Sequence, residues 1–137
     1  MKANSWYLFL YYWFPTALYC AFIFFLSSQS LPINVLPFPH VDKLVHILLY
    51  TVLGVLFTRA YSKQWGRTSF FRVLLFIFIY GITDEFHQIF TDNRVASVID
   101  VLADITGGVL GYFGFIRGKS LFLYGREYAR ERKSSAN

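Results

Sequence analysis

Apolar residues form four long runs along the chain, separated by shorter polar segments. The runs cover about residues 6–26, 44–61, 70–90 and 95–116. A helix that crosses the hydrocarbon core of a bilayer needs roughly 20 mainly apolar residues, and each run is close to this length. The pattern therefore predicts an all-α membrane protein, a bundle of four transmembrane helices that forms a single domain over residues 1–137.

The segments around these runs set the predicted helix ends. Residues 31–41 hold three of the four prolines, which favours a loop, and Asp42 then opens the second helix. The first run is predicted to be a retained helix and not a signal peptide, because more spans follow it and no small-residue cleavage site ends it. Residues 117–137 are predicted to form a basic cytoplasmic tail, with a short surface helix over residues 124–133.

The composition agrees with a membrane protein. Hydrophobic residues make up 55% of the 137 residues and charged residues 15%. A soluble domain of this length could not bury so much apolar surface. The formal net charge of +5 does not indicate nucleic-acid binding, because the basic residues cluster beside apolar runs. The single cysteine, Cys20, excludes a disulfide within the chain.

The charged residues divide between the two ends of the predicted helices. Eleven of the thirteen basic residues fall on the side that holds both termini, which leaves Lys43 and Arg94 on the other side. Six of the eight acidic residues fall on that other side, namely Asp42, Asp84, Glu85, Asp92, Asp100 and Asp104. The excess of positive charge predicts cytoplasmic termini, and hence an acidic face outside the cytoplasm.

Three of the predicted helices carry a polar face near this acidic end, because residues three or four positions apart lie on one side of a helix. The faces are Asp42, His46 and Tyr50; then Gly81, Asp84, Glu85 and Gln88, with His87 beside them; then Ser97, Asp100 and Asp104, followed by Gly107, Gly108 and Gly111. The glycines favour close helix packing. We expect the polar faces to meet in one site, although polar groups such as Tyr50, Gln88 and Ser97 often serve helix packing alone.

The four carboxylates Asp84, Glu85, Asp100 and Asp104 indicate more than helix packing, because buried like charges repel and lose their hydration. Protonation, pairing with Arg94 or Lys43, or a divalent cation would each relieve the repulsion. Carboxylate oxygens favour Mg2+ or Ca2+ over Zn2+. Carboxylates beside histidines also suit acid–base catalysis, and a guanidinium such as that of Arg94 binds phosphate in a bidentate manner.

The residues of this site resemble the VanZ-like family. They read Asp42-Lys43-x-x-His46-x-x-x-Tyr50, Asp84-Glu85-x-His87-Gln88-x-Phe90, Arg94-x-x-Ser97-x-x-Asp100 and Asp104-x-x-Gly107-x-x-x-Gly111. The resemblance covers about residues 27–114, and Asp104 stands where the family often has asparagine. It implies a small multi-pass protein of the bacterial cytoplasmic membrane. VanZ itself is associated with low-level resistance to teicoplanin, and the family has been proposed to share an active site with phosphatidylserine synthases and other head-group enzymes.

The residues and the resemblance together lead us to expect hydrolysis or exchange of a head group on a phospholipid or a lipid-linked cell-envelope precursor. In this hypothesis the catalytic residues are Glu85, His46, Asp42, Gln88 and His87; the substrate-binding residues are Arg94, Lys43, Tyr50 and Ser97; and Asp84, Asp100 and Asp104 bind Mg2+ or Ca2+. A lipid-binding or accessory protein without turnover is the alternative, and a proton- or cation-coupled transporter is a third. A homo-oligomer is left open, and no nucleic-acid partner is expected.

Overall fold

Helices make up nearly all of the structure, a computed structural model that describes residues 5–29, 41–91 and 95–135. Within these ranges there are four helices, so the prediction of an all-α protein is confirmed. Helix α1 consists of Ser5–Leu8, a π-helical stretch Phe9–Trp13 and Phe14–Ser27; α2 is Val41–Trp65, α3 is Phe70–Gln88 and α4 is Val98–Ser135.

Three segments of the described chain are long and apolar enough to cross a membrane, namely Trp6–Ser27, Val41–Trp65 and Val98–Arg130. They make this a multi-pass membrane protein. Helix α3 has 19 residues, but any 18 consecutive residues of it include Arg72, Asp84 and Glu85, so it is not one of these three segments.

The helix ends have local physical causes. The π-helical stretch ends at Trp13, two residues before Pro15, whose ring and missing N–H disturb the preceding turn. Helix α2 ends at Trp65 because Gly66 has φ 68°, the left-handed conformation that closes many helices. The fourth apolar run ends near Ile116, but α4 continues without a break to Ser135, so the short surface helix expected over residues 124–133 is part of α4.

The closest helix contact joins α2 to α4 through glycines. A Cβ atom added to Gly54 would lie 2.7 Å from the carbonyl oxygen of Gly108, and one added to Gly111 would meet the backbone of Thr51. These two backbones approach so closely only because the side chains are absent, as is common between membrane helices. The glycines expected to support packing therefore do so.

Helices α1 and α3 complete the bundle around an apolar core. Ile23 of α1, Tyr50 and Leu53 of α2, and Val73 and Ile77 of α3 are the buried members of this core. The hydroxyl of Tyr80 on α3 also donates a hydrogen bond to the carbonyl of Cys20 on α1, at 2.6 Å. This packing fixes the carboxyl end of α3 beside the amino ends of α2 and α4.

Helix α3 turns its apolar side outward and its charged side inward. Phe71, Leu75, Ile79, Ile82 and Phe86 are exposed on its outer surface. Asp84, Glu85 and Gln88 are buried on the opposite side. An apolar outer surface with buried carboxylates is the arrangement expected where a helix faces lipid and its polar groups face a protein interior.

Candidate functional site

A buried histidine–aspartate pair lies at the centre of the candidate site. The Nδ1 atom of His46 on α2 is 2.8 Å from Oδ1 of Asp104 on α4. His46 is 8% exposed and Asp104 is completely buried. A carboxylate bonded to one ring nitrogen fixes the orientation of the imidazole and leaves the other nitrogen free for chemistry.

Gly81 of α3 makes room for this pair. A Cβ atom at position 81 would lie 2.9 Å from Oδ2 of Asp104. Any larger residue would have to displace the Asp104 carboxylate, so the missing side chain contributes directly to the site. Helical spacing placed Gly81 on the polar face of α3, and the structure shows that its missing side chain leaves room for the Asp104 carboxylate.

Glu85 is held by the backbone at the start of α4. The N–H of Ser97 donates a hydrogen bond to Oε2 of Glu85 at 2.7 Å. The carbonyl of Ser97 in turn accepts from the N–H of Asp100 at 3.0 Å, which begins the helix. Ser97 therefore reaches the site through its backbone N–H, and it positions the carboxylate of a neighbouring helix.

Several buried polar atoms of the site have no hydrogen-bond partner among the described residues. They are Oδ1 of Asp84, Oε1 of Glu85, Oδ2 of Asp104 and the hydroxyl of Tyr50. The other oxygen of Asp84 is 3.5 Å from Nε2 of Gln88. Because buried polar groups are normally paired, oxygens left free in this way indicate a place for a ligand.

Lys43 joins the first turns of α2 and α4. Its Nζ atom is 2.6 Å from Oδ2 of Asp42 and forms a second ion pair with Oδ1 of Asp100. The side chains of Asp42 and Lys43 are 41% and 22% exposed, whereas that of Asp100 is only 9% exposed. Lys43 and Asp42 therefore form the more accessible edge of the site. The buried ionisable residues are called the acidic cluster, which consists of His46, Asp84, Glu85, Asp100 and Asp104.

One subset of the acidic cluster has the geometry of metal ligands. His46, Glu85 and Asp104 each offer a donor atom, and the three atoms lie within 4.8 Å of one another. The expected metal ligands were Asp84, Asp100 and Asp104. Asp104 belongs to both sets, and the structure pairs Asp100 with Lys43.

His87 lies on the side of α3 that faces α1. Its Nε2 atom is 2.9 Å from the hydroxyl of Ser28, and its ring stacks on Phe24 with centroids 3.9 Å apart. Sequence spacing on α3 alone gave no signal for these α1 partners. Arg94, the expected phosphate ligand, lies outside the described residues, as does Asp92.

The opposite end of the bundle carries exposed basic residues beside aromatic rings. We call it the basic end, and it consists of Tyr12, Arg59, Tyr61, Lys63 and Arg72. The Arg59 guanidinium lies 4.6 Å from the centroid of the Tyr12 ring, and Lys63 lies 5.8 Å from it. Arg72 donates a 2.5 Å hydrogen bond to the hydroxyl of Tyr61. Aromatic and basic residues of this kind are enriched at membrane–water interfaces.

Fold and site together define a small multi-pass membrane protein with ionisable groups buried at one end of its helices. A model of the VanZ/LLP1 family matches residues 6–123, most of the 137-residue chain. The chain therefore belongs to the VanZ/LLP1 family, and the resemblance found in the sequence is confirmed. A search of curated proteins and one of solved structures each found no match.

Proposed function

We propose that the acidic cluster acts on the head group of a phospholipid or a lipid-linked cell-envelope precursor, by hydrolysis or exchange. The observation that carries this proposal is the buried His46–Asp104 pair, with Oε1 of Glu85 unpaired beside it. Ionisable groups are rare in membrane-spanning segments and usually mark function. A membrane protein of this size most simply meets a substrate that already lies in the bilayer.

The proposed chemistry begins with a general base. His46, oriented by Asp104, or Glu85, held by the Ser97 N–H, accepts a proton from a water or a substrate hydroxyl. The nucleophile oxygen then bonds to the head-group phosphorus, and the bond from phosphorus to the leaving oxygen breaks. The proton passes to that leaving oxygen, so the base is regenerated.

Substrate binding is proposed at the accessible edge of the cluster. Lys43 is the cation nearest to the carboxylates in the described chain, and its Nζ atom can turn from Asp42 to a phosphate oxygen. Arg94 follows α3 in the sequence and is proposed as the second phosphate ligand. Tyr50 and Gln88 are proposed to orient the head group through their buried polar atoms.

The direct test uses purified protein in lipid nanodiscs, offered labelled phospholipids and lipid-linked wall precursors, with products followed by mass spectrometry. We expect wild type to form a new head-group product and Glu85→Gln to lose roughly 10²–10⁴-fold of the rate. Glu127→Gln is the matched control, because Glu127 lies exposed on the far part of α4. It should retain the wild-type rate.

Other results of this assay would favour a different function. Lipid that co-purifies with wild type and not with Glu85→Gln, without any product, would contradict catalysis and support a binding protein. Equal rates in Glu85→Gln and wild type would remove the acidic cluster from the reaction. If the activity alters the cell surface, wild type and not Glu85→Gln should raise teicoplanin tolerance in a susceptible bacterium.

We also propose that α3 is a fourth transmembrane helix, that both termini are cytoplasmic, and that the acidic cluster faces outward across the bacterial cytoplasmic membrane. The apolar outer surface of α3 and the separation of acidic from basic ends support this topology. In a Cys20→Ser background, Asn93→Cys should react with a membrane-impermeant thiol reagent in intact cells. Gln64→Cys, at the basic end of α2, should react only after the cells are opened. The reverse pattern would overturn the topology.

A further inference from the structure

Three donor atoms from three different helices converge at one point in the acidic cluster. His46 lies on α2, Glu85 on α3 and Asp104 on α4, and their donor atoms lie within 4.8 Å of one another. Ligands on separate packed helices are held in place by the bundle and not by a flexible loop. This is how metal sites are built in helix-bundle cores.

Unpaired oxygens supply an independent indication of a ligand at this point. Glu85 is 5% exposed and Asp104 is fully buried, yet Oε1 of the first and Oδ2 of the second have no hydrogen-bond partner in the described part of the chain. Asp84, 3% exposed, likewise has one free oxygen. The buried hydroxyl of Tyr50 is also unpaired there, and the Tyr50 ring stacks with that of His46 at a centroid distance of 6.4 Å. A cation coordinated by such oxygen atoms would give them the partner that they lack.

The balance of charge points the same way. Among the described residues, Lys43 is the cation that contacts the cluster, and it is already paired with Asp42 and Asp100. Asp84, Glu85 and Asp104 are left with His46 and neutral donors. A buried carboxylate without a counter-ion is strongly unfavourable, so a further positive charge would stabilise the arrangement.

We infer that His46, Glu85 and Asp104 bind a divalent cation of the Mn2+ or Zn2+ type. Mg2+ and Ca2+ prefer oxygen ligands alone, whereas an imidazole together with carboxylates suits a transition-metal ion. The inference deepens the proposed function and rests on it for a role. With a cation bound, His46 and Glu85 would hold the cation instead of accepting the proton, and the cation would supply positive charge to a phosphate head group and lower the pKa of a bound water.

The test measures binding without turnover. Wild-type protein in nanodiscs is stripped with EDTA and titrated with Mn2+, and free Mn2+ is followed by electron paramagnetic resonance. We expect one Mn2+ per chain. Glu85→Gln and His46→Gln should each weaken binding at least about tenfold, while Glu127→Gln, the same substitution on the exposed part of α4, binds as wild type.

A thermal shift guards against variants that fail to fold. Mn2+ or Zn2+ should raise the melting temperature of wild type and of Glu127→Gln, whereas it should not raise that of Glu85→Gln. The inference would be overturned if neither Mn2+ nor Zn2+ bound wild type, or if these ions bound Glu85→Gln as tightly as wild type. Arg94→Gln provides a further test. If this variant without metal melts at a much lower temperature than wild type without metal, Arg94 supplies the missing positive charge and the cation site is overturned.

The same samples separate the two proposals. Mn2+ binding without any head-group product would retain the cation site and contradict the enzyme. Product formation that is unchanged after EDTA, in protein that binds no Mn2+, would retain the enzyme and contradict the cation site.

Discussion

At one end of the bundle, Asp84, Glu85 and Asp104 are buried between three helices, and each keeps an oxygen without a partner in the described chain. At the other end, Arg59 and Lys63 are exposed, and both lie over the ring of Tyr12. Exposed charges over aromatic rings can remain hydrated, so they anchor and orient a helix at little energetic expense. Buried and incompletely paired carboxylates are unfavourable for folding, and a functional role is the usual reason for their presence.

The contact between α2 and α4 lies between these two ends, and it offers the largest expected effect. Gly111→Ala would place a Cβ atom against the Thr51 carbonyl and 2.9 Å from the Cα atom of Gly54. We expect α2 and α4 to separate, with a loss of about 1–3 kcal/mol in the free energy of unfolding. Unfolding in mixed micelles of rising SDS content would measure it.

Gly114→Ala is the matched control, one turn further along α4. A Cβ atom at position 114 meets nothing within 4 Å. Because alanine has less conformational freedom than glycine in the unfolded chain, this variant should be stabilised by roughly 0.5–1 kcal/mol. The two variants should therefore change stability in opposite directions, and equal changes would show that α2 and α4 do not approach as described.

Gly81→Ala is expected to perturb the acidic end alone. The added Cβ atom would lie 2.9 Å from Oδ2 of Asp104 and would force that side chain to move. A displaced Asp104 changes the orientation of His46, so head-group product formation should fall on the order of 10- to 100-fold. The free energy of unfolding of Gly81→Ala should stay close to that of wild type. The added Cβ atom meets the end of a side chain, which moves more easily than the backbone that Gly111→Ala would meet. Unchanged product formation would show that the His46–Asp104 geometry does not set the rate.

Helical spacing was sufficient to predict the inward faces of this bundle. It placed Asp84, Glu85 and Gln88 on one side of α3 and Ile82 and Phe86 on the other, as the structure has them. The prediction worked because residues three or four apart on a helix must share a face, whatever the tertiary structure. The same rule identified the glycines between α2 and α4.

Contacts between helices could not be predicted in this way. His87 lies next to the predicted polar face of α3, but its partners Ser28 and Phe24 belong to α1, whose placement does not follow from spacing on α3. The ion pair between Lys43 and Asp100 likewise depends on how α2 meets α4. Such pairs are set by the packing of whole helices, so sequence spacing offers only candidates for them.

The length of α4 shows a second limit. A change from apolar to basic residues after Ile116 predicts where a helix leaves the hydrocarbon core, but it does not end the helix. The sequence beyond this point contains no proline and many residues that favour helix, including Arg, Lys, Leu and Glu. Hydropathy therefore predicted the environment of α4, whereas backbone propensity decided its length.

The smallest effect is expected at the basic end. Arg59→Met keeps an unbranched apolar stem and removes the charge from the ring of Tyr12, 4.6 Å away. An exposed cation–π contact contributes about 0.5–1 kcal/mol, so the free energy of unfolding should fall by no more than this. Head-group product formation should stay at the wild-type rate, because Arg59 lies at the opposite end of α2 from His46. The SDS unfolding curve and the nanodisc assay, run on the same preparation, would measure both quantities. If Arg59→Met lowered product formation as strongly as Gly81→Ala, the basic end and the acidic cluster would not be independent. The assignment of function to the acidic cluster alone would then be wrong.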